Sequence, residues 1–359
     1  MGRARTEREH PLAQAPQPKA QVSGSQSPDG QTTPIVCLVG ATGTGKTSAV
    51  LTLARRFPVT VINADSRQVY RDVPIITAQP DAVEQAQCPH LLYGFLAMDE
   101  TISAGRFMDT ARKAVASCRE DDQENGRANG RMPVLVGGTG LYLRALAGGL
   151  ADIPDVPAQV REAVLQECAA RGSEALHTRL NDVDPDYAIR IHPRDRQRIC
   201  RALEVFQASG RPLSWWHLHG RSAQGLKLFI IGLRLPRPEL HDRLARRIDV
   251  MLELRAIQEI QRAWEGCPNP EAPGFSGIGC RELLAHLRGE ISLEKAKDLW
   301  LFRTRAYAKR QETWFNSIPE VHWVSAGDQT AVVRLVEAIA AGPQVGSGLR
   351  ADPNIYRST

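Results

Sequence analysis

Residues 34–47, Pro34-Ile35-Val36-Cys37-Leu38-Val39-Gly40-Ala41-Thr42-Gly43-Thr44-Gly45-Lys46-Thr47, join an apolar run to a glycine-rich turn. The run does not alternate with polar residues, so it reads as a short strand buried on both faces, the kind found in parallel sheets. From Gly40 to Thr47 the chain matches GxxxxGK[ST] in full, and Lys46–Phe57 continues with helical spacing. Strand, loop and helix thus follow in the order that a phosphate-binding loop requires. Its glycines let backbone N–H groups converge on phosphate oxygens, and the helix N-terminus favours negative charge. Lys46 supplies a point charge and the Thr47 hydroxyl a ligand for Mg²⁺. The competing reading is a purely structural glycine turn, which the complete match and its flanks disfavour.

Working outward, Val59–Asn63 reads as a second strand. The polar segment 119–132 reads as a surface loop, and Pro133–Val136 as a further strand that ends at Gly137-Gly138-Thr139-Gly140 before a helical stretch. Strand, glycine turn and helix therefore occur twice. The fold class expected is α/β, a P-loop-containing parallel sheet flanked by helices, with ligands gathered at the strand C-termini. Residues 151–222 are charged and helical in pattern and suggest a helical insertion. The β signal returns at Leu226–Leu235, followed by one long amphipathic helix over about 238–264, a Pro/Gly loop at 266–277, two further helices ending near Phe315 and a last short strand at Val321–Val324. The expected organisation is a disordered leader (1–33), a first part of the core (34–150), the insertion (151–222), a second part of the core (223–325), and a C-terminal helix with a loose tail (326–359).

Composition limits the classes open to the chain. With 359 residues, 42% of them hydrophobic and 24% charged, it is neither disordered nor collagen-like. Seven scattered cysteines without a CxxC pair indicate neither a disulfide framework nor a structural zinc site, and suit reduced thiols in a cytoplasmic enzyme. No stretch approaches the ~20 consecutive apolar residues of a membrane helix. The net charge of +5 permits an anionic partner without specifying one.

The loop does not reveal which phosphate compound it holds. An ordinary NTPase carries an aspartate at the end of an apolar strand to hold Mg²⁺, but here the strand at 133–136 runs into Gly137-Gly138-Thr139. A carboxylate does follow the second strand, at Asp65. From spacing alone it serves equally as a general base, a Mg²⁺ ligand or the N-cap of a following helix.

Five motifs taken together resemble the tRNA dimethylallyltransferases, also called tRNA isopentenyltransferases. They are Gly40–Thr47; Asn63-Ala64-Asp65-Ser66-Arg67-Gln68-Val69-Tyr70-Arg71; Gly137–Tyr142; Asp195–Val205; and the pair Gly277–Glu282 and Arg303–Phe315. The resemblance spans about 34–325 and has the character of the bacterial enzymes, since the zinc finger typical of many eukaryotic relatives is absent. It implies transfer of a dimethylallyl group from dimethylallyl diphosphate to the N6 amine of the adenosine 3′ to the anticodon, with Mg²⁺ and without membrane attachment; a monomer is expected. Under it the loop binds a prenyl diphosphate, Lys46 and Thr139 act at the reacting centre, and Asp65 takes the proton. The residues it places against tRNA are Asp65, Ser66, Arg67, Gln68, Thr139 and Arg161, then Gln197, Arg198, Ile199, Cys200 and Arg201. It adds Ser276, Gly277, Ile278, Gly279, Cys280 and Arg281, and finally Lys309, Arg310, Gln311 and Trp314.

Other features are read from charge and spacing. Helical spacing puts Arg194, Arg198 and Arg201 on one face, where arginine suits phosphates and unpaired bases; a solvated helix face is the alternative. Arg243 and Arg247 share a helix face and are candidates to reach the diphosphate, with surface ion pairing as the alternative. Trp215, Trp216, His217 and His219 read as a loop without metal-binding partners. Three positions depart from the family pattern: Gln79 replaces a lysine, Cys280 a tyrosine and Arg255 a glycine. The alternatives are a P-loop small-molecule kinase or NTPase that binds ATP without RNA, and a noncatalytic RNA-binding module.

Overall fold

The apolar run at 35–39 is a central strand of a six-stranded sheet. The computed structural model describes residues 34–120, 130–148, 151, 153–220 and 225–341; the leader, most of the polar segment 119–132 and the tail after 341 lie outside them. The strands are β1 (Ile35–Gly40), β2 (Val59–Asn63), β3 (His90–Leu91), β4 (Met132–Val136), β5 (Leu228–Arg234) and β6 (Val321–Ser325). They lie in the order β3-β2-β4-β1-β5-β6, and every neighbouring pair is parallel. The chain is thus the α/β protein expected from its sequence.

Alternation along β1 explains its composition. Ile35, Cys37 and Val39 enter one hydrophobic core, and Val36 and Leu38 the other, because successive strand side chains point to opposite faces. The first core is closed by Phe107 of the helix Ala104–Glu120, Leu143 and Leu146 of the helix Gly140–Gly148, and Phe315 of the helix Leu293–Asn316. The second is closed by Leu53 of the helix Lys46–Ala54 and by Val332 and Val336 of the helix Gln329–Ala340. Both faces being covered, nothing on β1 needs to be polar.

Two further cores lie beyond the sheet. In one, Ile248, Ile260, Leu283 and Trp300 pack with Val69, Tyr70, Ile76 and Met98 from the segment that follows β2. The other belongs to residues 158–219, where helices Ala158–Val183, Pro185–Ala188, Arg196–Ser209 and Leu213–His219 surround Leu176, Leu180, Ile199 and Leu203.

The structure corrects several sequence expectations. The single helix expected over 238–264 is two, Arg237–Glu253 and Ala256–Gly266, because Arg255 adopts a left-handed φ of 72° that no continuous α-helix accommodates. This is one of the positions where the family favours glycine, and the backbone conformation gives the physical reason. The segment with Trp215 and Trp216 is helical rather than a loop; at seven residues it is too short to display a period. Part of the polar segment 119–132 is ordered structure, since a helix runs to Glu120 and β4 begins at Met132. Two-residue β3 carries no alternation to read. Among the described residues no helix is long and apolar enough to cross a membrane.

Candidate active site

In a parallel sheet the loops after the strands open on one edge, and three of those loops build the site. The loop after β1 turns on Gly43 and Gly45, at φ 86° and 85°, a region that residues with a Cβ rarely enter. The amides of Gly43, Gly45, Lys46 and Thr47 have no hydrogen-bond partner among the described residues. Those of Lys46 and Thr47 belong to the first helical turn, which leaves its N–H groups free for an anion. Lys46 folds back over the loop, and its Nζ donates to the carbonyls of Gly40 and Ala41, 3.0 Å each. Burial lowers its pKa to about 8; Asp65 opposes the shift and Arg247 adds to it. Lys46, Asp65 and Arg247 therefore share one electrostatic environment. The half-buried Thr47 hydroxyl has no protein partner among the described residues, and Thr44 is tied to the Ala41 carbonyl at 2.8 Å.

After β2 the chain makes an Asx turn. Asn63 is buried and holds the turn from below: its Oδ1 accepts from Asp65 N–H at 2.8 Å, and its Nδ2 donates to the carbonyls of Asp65 and Leu92. Asp65 Oδ1 accepts from Arg67 N–H at 2.9 Å. No helix follows directly, so the helix N-cap reading of Asp65 is set aside; the carboxylate fixes a turn, and it lines the cavity. Arg67 donates to Ser276 Oγ at 2.6 Å, which brings the 276–281 segment beside Asp65. Gln68 turns away, to the carbonyls of Thr77 and Ala78.

After β4, Thr139 accepts from Ser66 N–H at 2.9 Å, and its own hydroxyl donates to Ser66 Oγ at 3.2 Å. The Tyr307 hydroxyl lies near Thr139; burial pushes its pKa up, with Asp65 nearby adding to the rise. Asp65, Thr139 and Tyr307 thus converge. Tyr307 was not among the residues singled out from sequence; it lies one helical turn before Gln311, inside a stretch read mainly for its basic residues.

The first two of these loops border a cavity of about 300 Å³. Asp65, Arg67, Arg247, Tyr307 and Arg310 give it a polar side, and Ile76, Leu244, Ile248, Met251, Ile278 and Trp300 an apolar wall. Arg247 has its pKa lowered by burial, with Asp65 opposing. Its neighbour one turn earlier, Arg243, pairs with Glu239 at 3.0 Å and passes beside Gly45.

The expected site residues divide by position. Thr42, Asp65, Arg67, Arg247, Ser276, Gly277, Ile278 and Arg310 line the cavity. Lys309 and Arg281 are exposed on neighbouring helices. Gly279 takes φ 93° and donates its N–H to buried Glu282, which in turn pairs with Arg303 at 2.5 Å. Trp314 is half-buried against Gly140. Arg161, Gln197, Arg198 and Arg201 are on the insertion, none of whose residues lines the cavity. Ile199, Cys200, Cys280 and Gln311 are each at most 4% exposed: the first three fill cores and the last is bonded to backbone. Arg194 is not on the helix with Arg198 and Arg201: the helix begins after Asp195, and Arg194 pairs with Glu174 at 2.9 Å. Gln79, in place of the family lysine, donates to the Tyr70 carbonyl at 2.7 Å and stabilises a turn.

A parallel sheet with a complete phosphate loop, no carboxylate ending β4 and an aspartate ending the neighbouring β2 defines a P-loop protein built for a task other than ordinary NTP hydrolysis. The IPP transferase family model matches residues 68–318. A tRNA dimethylallyltransferase of Oleidesulfovibrio alaskensis is 52% identical over 86% of this chain and 98% of its own length, and one of Maridesulfovibrio salexigens 47% identical over 84% and 96%. Among solved structures, the full-length tRNA isopentenylpyrophosphate transferase of Bacillus halodurans superposes with a TM-score of 0.60 at 31% identity, covering 86% of this chain and 97% of that one. A eukaryotic dimethylallyltransferase acting on tRNA gives a TM-score of 0.72 at 28% identity over 87% and 81%. The chain belongs to the IPP transferase family of tRNA dimethylallyltransferases.

Proposed function

We propose that the protein transfers the dimethylallyl group of dimethylallyl diphosphate to the N6 amine of the adenosine 3′ to the anticodon in tRNA. The observation that carries this reading is a cavity next to the phosphate loop: Thr42 of the loop, Asp65 and Arg247 line it together with an apolar wall for a short hydrocarbon, and the same loop carries Lys46, which shares the electrostatic environment of Asp65 and Arg247, and free amides for a diphosphate. The prenyl C1–O bond breaks and its electron pair leaves on the diphosphate, where Lys46, Arg247 and the loop N–H groups stabilise the charge. The N6 lone pair forms the new C–N bond, and the amine proton passes to the Asp65 carboxylate. Thr139 and Tyr307, near each other and close to Asp65, orient the acceptor. The base leaves the anticodon-loop stack to reach them, as reaction at a stacked base requires.

Among the described residues no group of three His, Cys, Asp or Glu side chains could hold a metal. The site still suits Mg²⁺, which takes few protein ligands and shares substrate phosphates: the partnerless Thr47 hydroxyl would hold it together with the diphosphate, where it neutralises leaving-group charge. The exposed Arg161, Gln197 and Arg198 and the half-buried Arg201 of the insertion, with Lys309 and Arg281, provide cationic and polar contacts for the RNA backbone. In this reading the enzyme works as a cytoplasmic monomer, in keeping with its free thiols. Purified protein incubated with unmodified tRNA, dimethylallyl diphosphate and Mg²⁺ should yield adenosine carrying one dimethylallyl group, detected by mass spectrometry after nuclease digestion. ATP turnover without RNA, and no prenylated product, would favour the kinase reading instead.

A further inference from the structure

The helix Leu293–Asn316 passes beneath both halves of the site, and one of its side chains joins them. Gln311 is 4% exposed. Its Oε1 accepts from the N–H of Thr42 in the phosphate loop at 2.8 Å, and its Nε2 donates to the carbonyl of Gly138 at 3.0 Å. A backbone N–H can only donate and a carbonyl can only accept, so the two partners fix the orientation of the amide. Gly138 leaves room for it: a Cβ there would stand 2.0 Å from Gln311 Nε2. One residue further on, Thr139 holds the Ser66 amide beside Asp65 and lies near Tyr307, one turn before Gln311 on the same helix face. Donor loop and acceptor side therefore both refer to one face of one helix.

We propose that Gln311 is a positioning residue: it fixes the phosphate loop against the Gly138–Thr139 strand end and so sets the approach of the acceptor amine to the prenyl carbon. The inference rests on the transfer reading above and gives this buried residue a role other than contact with tRNA. It depends on amide chemistry, since a glutamate keeps the bond to Thr42 but sets a second oxygen against the Gly138 carbonyl. Once protonated, the glutamate again offers one acceptor and one donor, as the amide does.

The test compares full-length Gln311→Met, which keeps length and volume, with Gln311→Glu, both checked for folding by circular dichroism. Reacting groups misplaced by an ångström cost on the order of 100-fold, so single-turnover transfer should fall by roughly 10- to 100-fold in both variants. The dissociation constant for tRNA should stay within about twofold of wild type, because the side chain does not reach the surface. Transfer by Gln311→Glu should rise relative to wild type as pH falls through the titration of the new carboxyl, while Gln311→Met shows no such recovery. Should the methionine variant not fold, the recovery of the glutamate variant at low pH decides. Active wild type with unchanged transfer in both variants would overturn the positioning role alone, as would weakened tRNA binding at undiminished transfer rate. An inactive wild type would overturn the transfer reading and this inference with it.

Discussion

Replacing Lys46 by methionine keeps the aliphatic stem and removes the charge. In the free protein the ammonium sits 3.0 Å from two loop carbonyls, and burial lowers its pKa to about 8. Two estimates bracket its worth to a bound diphosphate. A hydrogen bond to a charged group contributes about 1.5–3 kcal/mol. A unit charge about 4 Å from another, at an effective dielectric constant near 20, contributes about 4 kcal/mol. Arg247 shares the anion, and Lys46 must give up its carbonyls to bind it, so we expect the loss to lie at about 2–4 kcal/mol, or roughly 30- to 1,000-fold in kcat/KM. Charge on the leaving oxygen grows as the C–O bond breaks, so much of this loss should appear in kcat rather than in KM for the donor. Steady-state transfer at saturating tRNA and varied dimethylallyl diphosphate measures both. A kcat/KM within about fivefold of wild type would refute the assignment of the loop to the diphosphate.

Lys46 also links donor binding to pH. With its pKa at about 8 in the free enzyme, it is partly neutral above that pH; a bound diphosphate favours the ammonium and raises the pKa. Donor affinity should therefore fall as pH rises through about 8, with proton uptake on binding at about pH 9, seen by calorimetry in buffers of different ionisation enthalpy; binding without uptake contradicts this. Arg255→Gly relieves a left-handed backbone at an exposed position and should stabilise the fold by about 1 kcal/mol in urea unfolding; a loss of stability would show that the Arg255 side chain makes a net contribution. Buried Glu259 accepts from the amides of Ile75 and Ile76 at 2.7 and 2.9 Å, so Glu259→Gln, which puts a donor where one acceptor was, should destabilise by about 1–3 kcal/mol. No measurable change in the unfolding midpoint would mean that the Pro74–Thr77 turn is held by other contacts.

Much of the architecture was legible because it is local. An apolar run ending in Gly40–Thr47 specifies strand, loop and helix through sequence-adjacent residues, and the same reasoning placed Asp65 just after the next strand along the chain. The basic character of the 303–315 stretch was visible too. What stayed hidden depends on contacts distant in sequence. Gln311 is 269 residues from Thr42, and nothing in RTRAYAKRQETWF distinguishes a side chain turned inward to a loop amide from one turned outward to RNA. Tyr307 comes near Thr139 only because the helix Leu293–Asn316 packs against β1 and the helix Gly140–Gly148. The break at Arg255 is masked because arginine is a good helix former, and only the backbone angle shows the interruption. The apolar wall of the cavity comes from four separate segments, so no window of sequence displays it.

The central claim is that Asp65, set by Asn63 and Thr139 beside the phosphate loop, takes the proton from an adenine amine as the prenyl group is transferred. It is tested most directly by single-turnover transfer from dimethylallyl diphosphate to unmodified tRNA, comparing wild type with Asp65→Asn and Asp65→Ala and measuring tRNA affinity in parallel. Loss of the base should slow transfer by about 100- to 10,000-fold, with both variants folded and tRNA still bound. Transfer by either variant at close to the wild-type rate would contradict the account.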